Sequence, residues 1–232
     1  VWVAIWIWWY RDNPRKKNNI SEEELEYIEA GIKETSEISG KLSTGQIVTS
    51  TNMLLVMFQY IASNITFFIS FTWLLPYLVS QWGSGAELYA PIPFLVGIIA
   101  QWFSGWLGTV LYSRGWIIRS RKIPAIAGFT LATFGLVLIT LIPQTSALEF
   151  TLLFSVAFFG VEMTISPSWS LCMDIGGENS GTVSAAMNML GNIGSATGAI
   201  IFPFFVSSVT IPHLVKATGT ANSFFIFAAL MN

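Results

Sequence analysis

The sequence predicts an all-α fold, a polytopic membrane helical bundle. Only 10% of the 232 residues are charged, whereas soluble domains average about 25%. Hydrophobic residues make up 53%, and ten residues are Trp. Long apolar segments alternate with short breaks that contain Gly or Pro. Because about 20 helical residues cross the hydrocarbon core of a bilayer, each long segment predicts one membrane-spanning helix.

The apolar pattern predicts five complete spans and two half-spans. The complete spans are predicted at 53–79, 91–112, 123–142, 148–171 and 182–209. Residues 1–10 are too few to cross a membrane and precede a basic stretch, so we interpret them as the end of a truncated helix. A second half-span begins near residue 221. This arrangement predicts a piece of a longer chain, divided into residues 1–10, a loop at 11–46 and a helix bundle at 47–232.

The polar segment 11–46 is predicted to carry a short amphipathic helix. Ser21 followed by Glu24 forms a capping box, in which the Ser side chain satisfies a free backbone N–H at the start of a helix. Leu25, Ile28 and Ile32 then share one helical face. This helix is expected to lie on the membrane surface or on the water-facing end of the protein.

Basic residues orient the predicted bundle. Six of the 11 Lys and Arg residues lie in 11–46 and four lie in 113–122, whereas 80–90 and 143–147 contain none. The positive-inside rule therefore places 11–46 and 113–122 in the cytoplasm. The predicted location is the cell membrane (inner or plasma membrane), with the lipid bilayer as the surrounding partner.

Polar residues inside the spans mark the candidate site, since such residues usually face the bundle interior or a cavity. Three helices carry polar stripes, and these contain Gln59, Ser63, Thr66 and Ser70; Glu162, Ser166, Ser168 and Trp169; and Ser184, Asn188, Asn192 and Ser195. Each stripe also has a structural interpretation: hydroxyls bond their own backbone, amides bridge helices, and Trp residues form interfacial belts.

Glu162 is the ionisable residue lying well inside a complete span. An ionised acid at the centre of a membrane costs about 2.5–3.5 kcal/mol on insertion scales. The sequence therefore predicts a protonated or paired carboxyl. Two roles remain open, a proton-coupling residue and a hydrogen-bonded structural acid.

Composition argues against other classes of protein. A single Cys and a single His exclude a disulfide within the chain and most metal clusters. The net charge of −2 gives no reason to expect a nucleic-acid partner. Hydrolase, metalloprotease, P-loop and dinucleotide-binding motifs are absent from the sequence. We therefore expect neither an enzyme nor a bound cofactor or metal.

Three stretches resemble the second half of a major facilitator superfamily transporter, in the anion:cation symporter branch that includes hexuronate and sugar-acid transporters. The stretches are 10–14 with 20–28, 71–78, and 173–192. This resemblance implies the C-terminal six-helix half of that fold, from the end of the sixth helix to a truncated twelfth. One departure is Thr109, where the cytoplasmic gating motif of the family usually has Asp. In that motif the resemblance assigns gating to Gly105 and Arg114.

The resemblance also implies a mechanism, in which two halves rock around a midplane site. Substrate-binding positions would then be Gln59, Ser166, Ser168, Trp169 and Asn188. Asn192 joins them from the polar stripe, one turn after Asn188, and Glu162 is the proton-coupling candidate. Amides and hydroxyls suit a polyhydroxylated ligand because each can donate and accept hydrogen bonds. The cation for the ligand's carboxylate is expected in the other half of the fold.

The predicted function is proton- or cation-coupled symport of a small organic anion, such as a hexuronate or an aldonate, by alternating access. The full-length protein is expected to be monomeric. Two alternatives remain, an exporter of a small organic molecule and a transport-dead membrane scaffold or sensor.

Overall fold

The computed structural model describes residues 1–11, 13–17, 20–38, 45, 49–206 and 222–231. Within these residues the regular structure is helical and no strand occurs, which confirms the all-α prediction. The helices are α1 (Trp2–Trp9), α2 (Glu22–Ile38), α3 (Thr51–Trp82), α4 (Ile92–Ser113), α5 (Ile117–Leu141), α6 (Ala147–Met163), α7 (Ile165–Gly176), α8 (Ser180–Val206) and α9 (Asn222–Met231). Three short 3-10 turns, Pro14–Lys16, Ala86–Tyr89 and Gly177–Asn179, lie between them.

Four segments of the described chain are long and apolar enough to cross a membrane: Thr51–Trp82, Ala86–Ser113, Ile117–Leu141 and Ala147–Gly176. They correspond to four of the five predicted complete spans, and they make the chain a multi-pass membrane protein. Helix α8 has 27 residues, long enough to cross, but it is not among these four. The predicted end of this fifth span, 207–209, lies outside the described residues, as does His213.

Two predicted boundaries were wrong in ways that affect the site. Helix α5 begins at Ile117, six residues earlier than predicted, so Arg119, Arg121 and Lys122 lie on the helix rather than in a loop. The predicted single helix 148–171 is instead two helices, α6 and α7, separated at Thr164.

The amphipathic helix α2 begins as the capping box predicts. The Glu24 backbone N–H donates to Ser21 Oγ at 3.2 Å. Arg15, in the preceding turn, donates to both carboxylate oxygens of Glu29, at 2.5 and 2.8 Å. The hydrogen bond from Arg15 lowers the pKa of Glu29 below its usual value. Leu25 and Ile28 are half-buried, while the Ile32 side chain lies outside the described residues.

Glycine allows α8 to lie directly against α3. A Cβ atom on Gly194 would lie 2.5 Å from the Ile61 carbonyl oxygen, and one on Gly198 would lie 2.9 Å from that of Ile65. The small residues of α8 thus allow close helix packing. Helices α5 and α6 approach equally closely, where a Cβ on Gly135 would lie 2.5 Å from the Ala157 backbone nitrogen.

Two apolar clusters hold the helices together. The larger is rich in aromatic side chains and joins α3, α5, α6, α8 and α9 around Phe150, Phe158 and Phe224. The smaller joins the beginning of α3 to α7 and α8, and it comprises Met53, Val56, Met57, Tyr60, Cys172, Val183 and Met187.

Candidate functional site

The break between α6 and α7 follows from Pro167. Proline has no backbone N–H, so the Met163 carbonyl one turn earlier loses its helical partner. The Ser104 hydroxyl of α4 supplies the replacement, donating to Met163 O at 2.6 Å. Both Ser104 and Met163 are buried. The chain therefore satisfies a buried carbonyl from a neighbouring helix at the point where one membrane-spanning segment is discontinuous.

A chain of hydrogen bonds connects α3 to this break. The Gln59 amide donates to Ser63 Oγ at 3.1 Å, and Ser63 Oγ lies 3.2 Å from Thr164 Oγ1. Thr164 donates its own proton to the Val161 carbonyl at 2.7 Å, so Ser63 is the donor to Thr164. The Ser168 hydroxyl of α7 lies 2.6 Å from the Thr164 carbonyl, to which it donates, and 3.0 Å from Gln59 Oε1. We call these four residues, Gln59, Ser63, Thr164 and Ser168, the polar partition.

A first cavity, of about 420 Å³, lies on one side of the partition, between α3, α5 and α7. Gln59 and Ser168 are its polar wall, and Arg121, Lys122 and Asp174 are its charged residues. The remaining lining is apolar. The full lining comprises Leu55, Val56, Gln59, Ile117, Ile118, Arg121, Lys122, Ala125, Pro167, Ser168, Leu171 and Asp174.

A second cavity, of about 290 Å³, lies on the other side, between α3, the α6–α7 break and α8. It is lined by Tyr60, Ser63, Asn64, Phe67, Phe68, Val161, Ile165, Asn188 and Asn192. None of these residues carries a formal charge at neutral pH. Its three amide side chains and the Ser63 hydroxyl can donate and accept hydrogen bonds, whereas its phenylalanines supply flat apolar walls.

Local hydrogen bonds orient the amides of the second cavity. The Asn64 amide nitrogen donates to the Tyr60 carbonyl at 2.8 Å, and that of Asn192 donates to the Asn188 carbonyl at 2.8 Å. The Ser195 hydroxyl lies 3.2 Å from the Gly191 carbonyl of its own helix and 3.4 Å from Asn64 Oδ1 of α3. The Asn188 and Asn192 side chains are exposed, which leaves polar atoms available to a ligand.

The six predicted substrate-binding residues are thus divided. Gln59 and Ser168 line the first cavity, and Asn188 and Asn192 line the second. Trp169 lines neither of these two cavities, but its indole N–H donates to the Tyr60 hydroxyl at 3.3 Å, and Tyr60 lines the second. Ser166 faces α4 instead, with its Oγ 3.7 Å from a Cβ placed on Gly105.

Glu162 is 2% exposed and lies against α4 at the end of α6. The Gln101 amide donates to Glu162 Oε2, while Oε1 has no hydrogen-bond partner in the described structure. A Cβ atom on Gly97, one turn before Gln101, would lie 2.9 Å from Glu162 Cγ. The carboxyl therefore occupies a close-fitting niche in which only one of its two oxygens is satisfied.

Of the predicted gating residues, Gly105 lies in the second half of α4 and Arg114 directly after its end. Arg114 follows the last residue of α4 and is exposed, and Thr109 donates to its own helix at Gly105 O, 2.9 Å away. The ion pair at this end of the bundle instead joins Arg121 to Asp174. Arg121 Nε and Nη2 donate to the two carboxylate oxygens at 2.8 and 3.3 Å.

Sequence reasoning missed several residues that the structure brings to the site. Asn64 was visible beside the polar stripe of α3, and Tyr60 lies one turn before it. Asp174 lies in the 173–192 stretch, but its ion pair could not be predicted, nor could the role of Gln101, because each bonds a residue 53 or more positions away along the chain. Among the described residues, no group of three or more His, Cys, Asp or Glu side chains could hold a metal ion.

Helical spans, a discontinuous helix and polar cavities define a membrane protein that could bind a small molecule between its helices. A sequence model of the Major Facilitator Superfamily matches residues 1–199, so the chain belongs to this superfamily. Members of the superfamily are secondary transporters built from two six-helix halves. The match confirms the resemblance drawn from the sequence motifs.

Three curated relatives have names that describe organic-acid transporters. The chain is 24% identical to the probable sulfoacetate transporter of Cupriavidus necator, with 97% of this chain and 54% of the relative covered. It is 28% identical to the probable galactarate/D-glucarate transporter of Bacillus subtilis, covering 92% and 47% respectively. It is 26% identical to the D-galactonate transporter of Escherichia coli, covering 95% and 54%. The chain spans about half the length of these relatives.

Proposed function

We propose that the full-length protein carries a small organic anion, such as a hexuronate or an aldonate, across the cell membrane by proton- or cation-coupled symport. The observation that carries this proposal is the uncharged, amide-lined second cavity beside a discontinuous helix. Superfamily membership indicates transport rather than catalysis. The names of the three relatives all describe transport of organic anions.

The proposed mechanism is alternating access, with Asn188 and Asn192 holding ligand hydroxyls from α8. Gln59 and Ser168 act from the polar partition, while Trp169 acts through Tyr60. Ser166 faces Gly105 of α4 in this structure and not either cavity. In the proposed mechanism it contacts the ligand only after α4 and α7 have shifted.

In the proposed mechanism, the groups that bind the ligand's carboxylate and the coupled proton lie outside the second cavity. The second cavity contains no cation, so we place the partner of the ligand's carboxylate in the other half of the superfamily fold. Glu162 is the proposed proton carrier, since it is a buried carboxyl with one oxygen that has no hydrogen-bond partner among the described residues. Gly105 and Arg114 are the proposed gating positions, with 11–46 and 113–122 on the cytoplasmic side.

The test is uptake by full-length protein in proteoliposomes, with glucuronate, galactonate, galactarate and sulfoacetate supplied separately. We expect saturable uptake of at least one acid, increasing as the external pH falls. Gln59→Ala and Asn188→Ala should each reduce uptake efficiency about two- to twelvefold, the equivalent of one hydrogen bond at about 0.5–1.5 kcal/mol. Asn52→Ala is the matched control, because Asn52 is exposed at the start of α3 and lines neither cavity.

Each outcome separates one part of the proposal from the rest. Undiminished uptake by both site variants would exclude Gln59 and Asn188 from substrate binding, but it would still support transport. Failure of every acid to enter, with correctly inserted protein, would favour export or a non-transporting role. Uptake that is independent of pH and of added cations would refute coupled symport.

A further inference from the structure

The glycines of α8 that face α3 meet two different kinds of neighbour. A Cβ atom on Gly194 or Gly198 would lie within 2.9 Å of a backbone carbonyl oxygen of α3. A Cβ atom on Gly191 would instead lie 2.5 and 2.7 Å from Cδ1 and Cε1 of the Tyr60 ring. Gly191 therefore leaves room for a side chain, whereas Gly194 and Gly198 allow two helix backbones to approach each other.

Tyr60 is held between α7 and α8. It is only 7% exposed, and its ring lies directly against Gly191 of α8. The Trp169 indole of α7 meets the same ring edge to face, with 6.4 Å between the ring centroids, and donates its N–H to the Tyr60 hydroxyl at 3.3 Å. Tyr60 also lines the second cavity. Neighbours on two helices thus fix an aromatic ring at the wall of the proposed transport site.

The same glycine borders a second residue of this wall. A Cβ atom on Gly191 would lie 2.9 Å from Asn64 Nδ2. Asn64 lies one turn after Tyr60, donates to the Tyr60 carbonyl at 2.8 Å and also lines the second cavity. The positions of two side chains at the cavity therefore depend on the lack of a side chain at Gly191.

We propose that Tyr60 is a specificity-determining residue that contacts the carbon chain of a polyhydroxylated acid, and that Gly191 sets its position. This inference rests on the proposed function. The tyrosine ring supplies apolar surface for the C–H groups of such an acid, while the amides of Asn64, Asn188 and Asn192 bind its hydroxyls. A side chain in place of Gly191 would push the ring away from α8. Because the ring borders the second cavity, this displacement narrows the site.

The experiment measures KM and the maximal rate of uptake by the full-length protein in proteoliposomes, for each sugar acid that enters among galactonate, galactarate and glucuronate. Gly191→Ala should raise KM about five- to tenfold at a nearly unchanged maximal rate, because the displaced ring obstructs binding. In a Tyr60→Ala background the same change should have no further effect, since the ring is absent. Tyr60→Phe should raise KM about two- to twelvefold, because it removes the hydroxyl that Trp169 bonds.

Gly198→Ala is the matched control. Its Cβ atom would also collide with α3, but at the Ile65 carbonyl, and neither residue lines the second cavity. This variant should unfold at a lower temperature in detergent and keep its KM, because loss of folded protein reduces the maximal rate instead. If Gly191→Ala does not fold, the comparison of Tyr60→Phe with Gly198→Ala decides alone.

Several results would overturn the inference while leaving transport intact. An unchanged KM in Gly191→Ala and Tyr60→Phe would exclude Tyr60 from ligand contact. An equal rise in Gly198→Ala would indicate a general packing effect. A Gly191→Ala effect that persists in the Tyr60→Ala background would assign the effect to Asn64.

The choice of acids separates this inference from the proposed function. Uptake of sulfoacetate but of no sugar acid would refute the polyhydroxylated ligand and still support transport of an organic anion. Failure of the unmodified protein to take up any acid would refute the proposed function, and this inference with it.

Discussion

At the residue scale, Glu162 has the clearest link between environment and proposed role. Its carboxyl is buried, one oxygen accepts from Gln101, and the other has no partner in the described structure. A purely structural acid would be expected to satisfy both oxygens, because an unsatisfied buried polar atom costs about 1–3 kcal/mol. The arrangement is consistent with a group whose protonation changes when the surrounding helices move.

Glu162→Gln tests this role, since a carboxamide has nearly the same shape but cannot titrate. We expect the variant to fold and to exchange substrate across the membrane, but to lose accumulation driven by an inward proton gradient. Uptake into proteoliposomes with and without the gradient measures the difference. The matched control is Glu149→Gln on the same helix, because Glu149 is exposed and bonds Thr145 at the helix start. Gradient-driven accumulation by Glu162→Gln would exclude this residue from coupling.

At the element scale, the discontinuity between α6 and α7 depends on two residues of different helices. Pro167 removes a donor, and Ser104 replaces it at Met163 O. Ser104→Ala should destabilise the protein by about 1–3 kcal/mol, because a buried carbonyl then lacks a partner. In a Pro167→Ala background, the restored N–H can bond Met163 O, so the same Ser104→Ala change should cost less. Thermal unfolding of all four proteins in detergent measures this coupling, and strictly additive effects would contradict the explanation.

The contact between α3 and α8 is a second element-scale feature. Gly194→Ala would place a methyl group 2.5 Å from Ile61 O, closer than carbon and oxygen normally approach. We expect destabilisation of about 1–3 kcal/mol, typical of overpacking, with a lower unfolding temperature. Gly181→Ala is the control, because a Cβ there meets no heavy atom within 4 Å. Equal stability of the two variants would show that α8 can move away from α3 without cost.

At the scale of the whole molecule, the proposed orientation rests on the charge distribution of the loops. The proposed cytoplasmic segments contain ten of the 11 Lys and Arg residues, and positive loops are retained inside. The chain has a single, buried cysteine, Cys172, which makes labelling simple. In a Cys172→Ala background, Ser84→Cys should react with a membrane-impermeant maleimide on intact cells, whereas Lys17→Cys should react only after permeabilisation. The reverse pattern would invert the proposed topology.

The two cavities of the molecule differ in the side chains that line them. One is uncharged and lined with amides, and the other combines apolar side chains with Arg121, Lys122 and Asp174. They share a wall in which Gln59 faces one side and Ser63 the other, joined by a 3.1 Å hydrogen bond.

The sequence by itself determined the fold class, four of the five predicted complete spans and the superfamily. Low charge and long apolar runs leave few alternatives to a helical membrane bundle, because backbone polar groups in lipid must bond within their own segment. The sequence also shows the polar stripe of α3 and the glycines of α8, since helical periodicity places each set on one face of its own helix. The single helix predicted at 148–171 was wrong because the effect of Pro167 depends on whether a neighbouring helix can satisfy the freed carbonyl.

Only the tertiary structure decided which polar residues meet. Asn64 and Asn188 line one cavity, Arg121 pairs with Asp174, and Gln101 bonds Glu162, although each pair is separated by many residues along the chain. Ser166 and Ser168 are neighbours in sequence, yet one faces α4 and the other α3. Periodicity defines the faces of a helix, but the neighbour that each face meets depends on how the helices pack, and that packing involves contacts distant in sequence.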